Sequence, residues 1–220
     1  LGMNATFTIS DAKSTIQEYG SSRSIDAWYN GKTYGELWGY EVDRLYQKDD
    51  FVWENGEIVQ TWAYRGKEVP EGTEGARQVN KLADPNGVYQ DRFEGGNFKF
   101  GPGDVKYKDL DGDGQIWYGK EEMKSLNGKL LMPGDEGYND PNAKKVGVNT
   151  VENHGDKVVI GNTTPRYEYG IRLGLDYKGF DFSIFGQGIG KRKIWGAGNF
   201  AIPGFNCGDG AMPQAIVGDY

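Results

Sequence analysis

The stretch that decides the fold runs from residue 166 to residue 185 and reads RYEYGIRLGLDYKGFDFSIF. Apolar or aromatic side chains occupy alternate positions from Tyr167 to Tyr177, and charged residues or glycines stand between them. This strict period of two is typical of a β-strand with one apolar face. A Lys-Gly turn signal follows at 178–179, after which the alternation resumes. The stretch therefore predicts a β-hairpin over residues 166–190.

Two kinds of sheet fit this alternation. In a soluble sandwich the apolar face would be core, and on the period alone this interpretation is the commoner one. A transmembrane sheet is favoured by the aromatic residues that bracket the apolar face, and by an opposite face that mixes charge with glycine. Eleven residues at about 3.3 Å each, tilted by about 40°, would cover roughly 28 Å, which is enough to cross the apolar band of a membrane.

A weaker version of the same pattern opens the chain. Met3, Ala5, Phe7 and Ile9 alternate with small polar residues, which predicts a strand within residues 1–19. The long stretch from 20 to 165 is punctuated by Asn-Gly, Asp-Pro and Gly-Pro-Gly turn signals and carries no long amphipathic helical pattern. Such a long insertion between strands is usually functional when it is ordered.

Composition excludes several classes of protein. Glycine accounts for 35 of 220 residues and aromatic residues for 14%, a mixture that favours many turns and short strands over a helical bundle. A net charge of −7 argues against a nucleic-acid partner, because phosphate binding needs a basic surface. One cysteine, Cys207, and one histidine, His154, cannot build a disulfide or a multi-histidine zinc site. With no recognisable nucleophile, base or catalytic metal set, we predict no enzyme and no catalytic residue.

One motif carries metal chemistry. The segment 109–120, called the Asp-rich loop below, begins as a calcium loop does. It has side-chain oxygens at positions 1, 3 and 5, glycine at position 6 and a backbone carbonyl at position 7. The predicted metal ligands are Asp109, Asp111, Asp113 and Gln115. Position 12 holds Lys120, where calcium loops place a bidentate Glu. We predict a structural Ca²⁺ here, and the alternative is an Asp-rich turn with no ion.

Three aromatic residues are candidates for stacking on a ligand. Trp53, Trp62 and Tyr64 offer flat apolar faces with polar edges, as sugar-binding aromatics do. Packing inside the long insertion is the alternative interpretation of the same three side chains.

Four segments, in order, together resemble one family, the SusC/RagA-like TonB-dependent outer-membrane transporters of Bacteroidetes. They are NATFTIS at 4–10, followed by DAK, then YGELWGYEVD at 34–43, GPGDVKY at 101–107 before the Asp loop, and IGNTTPR at 160–166 before the hairpin with YKGFD at 177–181. The chain departs from the family pattern at Arg44, where glycine is usual, and at Trp117, where an acidic residue is common.

The resemblance implies an all-β fold, in which the chain is part of a large transmembrane antiparallel β-barrel with a long extracellular loop region. Residues 1–19 and the hairpin 166–190 would then be barrel strands, residues 20–165 would be extracellular, and residues 191–220 would start the next extracellular loop. Family members are several times longer, with a plug domain and a TonB-contacting segment, so we expect this chain to be an internal piece from the C-terminal part of the barrel.

The resemblance also implies a function and partners. These transporters import nutrients, glycan oligosaccharides or peptides, across the cell outer membrane, together with a SusD-like surface lipoprotein. Energy comes through TonB, which would contact the missing N-terminal part, and membrane lipid would surround the strands. A different class remains open: a secreted, calcium-stabilised, β-rich carbohydrate-binding module, in which the Tyr167 face is buried in a sandwich.

Overall fold

The computed structural model describes residues 1–196, and the predicted all-β class is confirmed in them. Two 3-10 helices, Lys48–Asp50 and Asp91–Phe93, interrupt the strands. No helix in the described range is long and apolar enough to cross a membrane. The strands are β1 Gly2–Asp11, β2 Glu36–Tyr40, β3 Val42–Leu45, β4 Trp53–Glu54, β5 Glu57–Ile58, β6 Gln60–Tyr64, β7 Lys67–Val69, β8 Arg77–Asn80, β9 Val105–Tyr107, β10 Lys124–Leu126, β11 Lys129–Leu131, β12 Lys144–Lys145, β13 Lys157–Asn162, β14 Tyr167–Tyr177 and β15 Phe180–Gly190.

The described chain divides into two compact units. The first, which we call the sheet unit, comprises residues 1–15, 33–37 and 161–196, and the second, the loop unit, comprises residues 16–32 and 38–160. Most of the predicted loop 191–220 lies outside the described residues, and Cys207 lies outside them too.

The sheet unit is built on three long antiparallel strands in the order β1-β14-β15. The register aligns apolar side chains across all three strands, in rows such as Met3–Leu175–Phe182 and Ala5–Leu173–Ile184. Between these rows lie polar rows such as Asn4–Gly174–Ser183. This register places the apolar side chains of the three strands on one face of the sheet. A slip of one residue would move the side chains of a strand to the other face.

A two-residue turn joins β14 to β15. Lys178 and Gly179 have φ angles of 48° and 85°, the left-handed backbone that two-residue hairpin turns require. Tyr177 and Phe180 pair directly on either side of the turn. Glycine at 179 meets this requirement without strain, so the Lys-Gly signal in the sequence has a local physical basis.

The loop unit is made of small sheets rather than one large sheet. β6 lies between β7 and β8, β10 lies between β11 and β12, and two further strand pairs form, β3 with β9 and β4 with β5. Elsewhere in the described chain β2 pairs with β13. One cluster of buried apolar residues consists of Tyr46, Phe51, Ala63, Val79, Leu82 and Tyr89, with Ile58 and Phe100 packed against them. Ile25, Tyr29, Ile116 and Leu131 are buried outside this cluster. The cluster therefore lies around β6 and β8.

The turn between β6 and β7 lies against the Asp-rich loop. Arg65 and Gly66 both have positive φ, at 51° and 80°, as in the two-residue turns that join hairpin strands. A side chain at Gly66 would collide with the carbonyl oxygen of Gly114. Glycine is thus required here both by the backbone angle and by the close approach of the Asp-rich loop.

Candidate metal centre

The Asp-rich loop is shaped by its own carboxylates. Asp109 accepts hydrogen bonds from the backbone amides of Gly112 and Gly114, at 2.7 Å and 2.9 Å. Asp111 accepts one from the amide of Asp113, at 3.2 Å. The two glycines have φ of 68° and 80°, so they permit the tight turns that bring the first carboxylates to one side.

A distant residue completes the arrangement. Asp156 is only 2% exposed, and its Oδ1 accepts a hydrogen bond from the amide of Leu110 at 2.6 Å. Its Oδ2 accepts one from the amide of Trp117 at 2.8 Å, while its own amide donates to the Trp117 carbonyl. One buried carboxylate therefore holds both ends of the Asp-rich loop.

Three carboxylates converge at this point. Asp109, Asp111 and Asp156 each offer one oxygen, and these oxygens all lie within 4.8 Å of one another. Oxygens bound to one Ca²⁺ at 2.3–2.6 Å can be at most about 5 Å apart, so the spacing fits a shared calcium ion. The donors are also of the hard, anionic oxygen type that Ca²⁺ prefers. This cluster is the candidate metal centre.

Burial and mutual repulsion both act on these groups. Burial raises the pKa of Asp156, and the nearby Asp111 charge raises it further, although three backbone amides oppose the change. Burial likewise raises the pKa of Asp113. The Lys120 ammonium lies 3.4 Å from Oδ2 of Asp111. A cation therefore occupies the place where a calcium loop has its bidentate Glu, and it compensates part of the negative charge.

Of the four ligands predicted from the sequence, the structure brings two into the cluster and leaves two side chains outside it. Asp109 and Asp111 belong to the cluster, whereas the Asp113 carboxylate accepts the amide of Gln115 at 2.8 Å and lies outside it. The Gln115 side chain accepts a hydrogen bond from Arg92 at 3.2 Å, which leaves its backbone carbonyl as the atom it could offer to an ion. Asp156 was not among the predicted ligands, because only the tertiary fold brings it to a loop more than 40 residues earlier.

The predicted stacking residues lie on two sheets. Trp53 is on β4, and its indole N–H donates to the carbonyl of Lys48 at 2.9 Å. Trp62 and Tyr64 are alternate residues of β6 and so point to the same face of its sheet. Tyr64 also lies under the Arg65 guanidinium, 5.3 Å from the ring centre. The structure thus brings together two of the three candidates.

No protein-family model matches the chain, and no curated protein or solved structure matches it either. The resemblance to SusC/RagA-like transporters therefore rests on the four sequence segments given above.

Proposed function

We propose that this chain is part of the barrel wall and external loop region of a SusC/RagA-like, TonB-dependent importer of glycan oligosaccharides or peptides in the cell outer membrane. The three-stranded sheet β1-β14-β15 would form the wall. The loop unit would lie outside the cell and meet the SusD-like lipoprotein or the substrate, and TonB would act through a part of the protein not contained in this sequence.

The observation that carries this proposal is the exposed apolar face of the sheet unit. Tyr167, at the end of β14, is half-buried, but the other large apolar side chains of the three strands on this face are exposed by between 38% at Leu175 and 79% at Phe180. The rows Met3–Leu175–Phe182 and Ala5–Leu173–Ile184 cross all three strands, and the pairs Phe7–Ile171 and Ile9–Tyr169 continue the patch on β1 and β14, where β15 has glycine. Soluble proteins rarely expose large contiguous apolar surfaces, whereas lipid covers such a band in a membrane.

The opposite face supports the same assignment. It carries mainly polar residues and glycine, in rows such as Thr8–Gly170–Gln187, with Phe185 and Ile189 as apolar exceptions. Transmembrane barrels combine an apolar outward face with a polar interior. β14 and β15 have 11 residues each, and this length matches the 9–11 residues of a tilted transmembrane strand.

A secreted binding module would need this apolar surface to be buried. It requires the Tyr167 face to be buried in a sandwich, yet Ile171 and Leu173 are 45% and 43% exposed. The importer is therefore the better supported of the two functions.

Calcium is the second element of the proposal. Asp109, Asp111 and Asp156 would hold it, with the backbone carbonyl of Gln115 as a further oxygen. When bound, the ion would neutralise the three converging carboxylates and brace the Asp-rich loop, which is a structural and not a catalytic role. An extracellular position would suit even a weak site, because extracellular calcium sites work at dissociation constants of about 10⁻⁴–10⁻³ M.

Spin labels on the two faces of β15 test the membrane assignment. In a Cys207→Ser background, Ile184→Cys places a nitroxide on the apolar face, and the matched control Ser183→Cys places one on the opposite face. In membranes from cells that express the protein, the label at 184 should collide with dissolved oxygen, and the label at 183 with a water-soluble nickel chelate. Equal access of the nickel chelate to both positions would contradict a lipid-facing sheet.

Protease added to intact cells tests the orientation separately. Cleavage should fall between residues 20 and 165, in the region proposed to be extracellular. Complete protection of this region in intact cells, with cleavage only after the outer membrane is opened, would reverse the orientation without affecting the spin-label result.

A further inference from the structure

A small cavity of about 160 Å³ lies in the loop unit beside the turn that follows β6. Its lining includes three arginines that come from that turn, from β8 and from the second 3-10 helix. The cavity is lined by Tyr64, Arg65, Arg77, Asp91, Arg92 and Glu121, together with Gly75. Three guanidinium groups therefore line one cavity of a chain whose net charge is −7.

The carboxylate of Asp91 is committed to the backbone. Asp91 is 3% exposed, and its oxygens accept the amides of Arg65 and Gly66 at 3.0 Å and 2.7 Å. It therefore fixes the turn after β6 and is not placed to bind the guanidinium groups of the cavity.

Arg77 is held by backbone carbonyls, and its closest acidic influence is the buried Glu94, whose pKa its charge lowers. Its Nη1 donates to the backbone carbonyls of Asp91 and Arg92, at 3.1 Å and 3.2 Å, and also to that of Glu94. Within residues 1–196 no carboxylate forms an ion pair with it, in contrast to Arg65 and Arg92. These carbonyls fix the guanidinium at the cavity wall through one nitrogen and leave its other N–H groups for a ligand.

The other two arginines already hold a carboxylate. Arg65 Nη2 and Arg92 Nη1 donate to the two oxygens of Glu121, at 2.5 Å and 3.1 Å. The hydrogen bond from Arg92 is the largest of the effects that lower the pKa of Glu121. The Arg92 guanidinium also lies 4.6 Å from the ring centre of Trp117, which supports it from one side. Two of the three guanidinium groups are thus already paired with Glu121, and Arg77 is the one placed to receive a further carboxylate.

From this geometry we infer that the cavity binds a small, hydroxylated carboxylic acid, with its carboxylate on Arg77 and its body against the Tyr64 ring. Guanidinium groups bind carboxylates through paired N–H donors, and the polar lining would accept hydroxyl groups. The volume is below the 300–1,000 Å³ of sites for drug-sized ligands, so the ligand is the size of one sugar acid. All lining residues belong to the loop unit, so the inference is independent of the membrane proposal.

Titration calorimetry of the full chain at low ionic strength tests this inference, with D-glucuronate as the probe. We expect saturable binding of glucuronate, and no binding of D-glucose, which has the same ring without the carboxylate. Inorganic phosphate is the third arm. No saturable glucuronate binding, or equal binding of glucose or phosphate, overturns the inference.

Variants then locate the site. Arg77→Gln should weaken glucuronate binding about tenfold, because a charge-assisted hydrogen bond is lost, whereas Arg23→Gln, an exposed arginine paired with Glu152, should leave it unchanged. Arg77→Lys keeps the charge without the paired donors and should give an intermediate affinity. If circular dichroism shows that Arg77→Gln is unfolded, Arg77→Lys is used in its place. Unchanged affinity in the folded Arg77 variant overturns the assignment.

A further variant separates a binding site from a structural ion-pair network. Glu121→Gln removes the carboxylate that holds Arg92, while Arg65 keeps its longer contact with Glu122 at 4.0 Å. Arg92 becomes available, so glucuronate should bind more tightly. In a purely structural network the same change would lower the melting temperature and bring no gain in affinity, and that result contradicts the inference.

Discussion

The Oδ1 atom of Asp156 accepts a hydrogen bond from the backbone amide of Leu110 at 2.6 Å, across a separation of 46 residues. Its Oδ2 atom binds the amide of Trp117 at 2.8 Å. The same side chain also contributes an oxygen to the carboxylate cluster with Asp109 and Asp111. One residue therefore links the closure of the loop to the chemistry of the candidate metal centre, and substitutions in it should affect both.

Asp156→Asn should loosen the Asp-rich loop. The asparagine amide has one acceptor oxygen, so either the amide of Trp117 or those of Leu110 and Asp111 lose their acceptor and face an NH₂ group. A buried, unpaired donor costs about 1–3 kcal/mol, and urea unfolding in EDTA should show a loss of that size. With millimolar calcium the loss should be larger, because the variant also forfeits the stabilisation that a bound ion gives to the folded state.

Asp135→Asn is the matched control for that change. Asp135 also accepts a backbone amide, that of Met132 at 2.7 Å, but in an exposed turn. Its substitution should cost little and should not depend on calcium. An equal effect of calcium on both variants would show that Asp156 is not a ligand.

Lys120→Glu should strengthen calcium binding. The change removes the ammonium that lies 3.4 Å from Asp111 and places a carboxylate at position 12, where calcium loops have their bidentate ligand. We expect calorimetry to show at least about a tenfold gain in calcium affinity, equivalent to about 1.4 kcal/mol. Without calcium the variant should be less stable than the wild type, since one more carboxylate then repels the others.

The exposed Lys129 of β11 provides the control. Lys129→Glu makes the same charge change away from the loop and should leave the affinity for calcium unchanged. A similar gain in both variants would mean that long-range charge alone governs calcium binding.

Sequence reasoning succeeds for the sheet unit because its signals are local. Alternation along β1, β14 and β15 follows from the side-chain period of a strand, and the Lys178-Gly179 turn follows from the backbone freedom of glycine. Asp109 and Asp111 come from a spacing within one loop. Each of these features is decided by residues that are neighbours in the sequence.

The remainder depends on tertiary contacts that leave no local pattern. The strands other than β1, β14 and β15 have two to six residues, which is too few for a side-chain period to be recognised. Asp156 approaches the Asp-rich loop only when the chain returns after more than 40 residues, and its one local cue is the turn-forming glycine before it. Register between β1 and β14 is likewise a property of the assembled sheet.

Glu94 should make the stability of the chain depend on pH. It is 4% exposed; its Oε1 accepts the amide of Phe100 at 3.0 Å, and its Oε2 is buried without a partner in the described chain. Burial raises its pKa to about 7 from 4.5, and nearby Asp91 raises it while Lys99 and Arg77 lower it. The phenol of Tyr46 also faces it.

Because the charged form is disfavoured in the folded state, Glu94 lowers stability as pH rises. Its effect is absent below about pH 4.5, grows between the unfolded and folded pKa values, and is constant above about pH 7 at about 3 kcal/mol. Glu94→Gln removes it, so urea unfolding should show the variant to be more stable than the wild type at pH 8 and equal to it at pH 4.5. Glu136→Gln, at an exposed position, should show no such difference. A pH-independent effect of Glu94→Gln would contradict this account.

The proposed importer function predicts that arginine on the two faces of β15 will affect membrane insertion very differently. Ile184 lies in the row Ala5–Leu173–Ile184, near the middle of the strands, and arginine on the lipid face near the bilayer midplane costs about 2–4 kcal/mol. Ser183 is its neighbour on the opposite face, where it pairs with Gly174, so an arginine there has room and a polar surrounding. Ile184→Arg should therefore reduce the amount of protein recovered in the outer membrane, as measured by cell fractionation, and Ser183→Arg should not. In a soluble sheet with one solvated face, arginine at either exposed position would be tolerated, so equal recovery of the two variants would argue against a lipid-facing sheet.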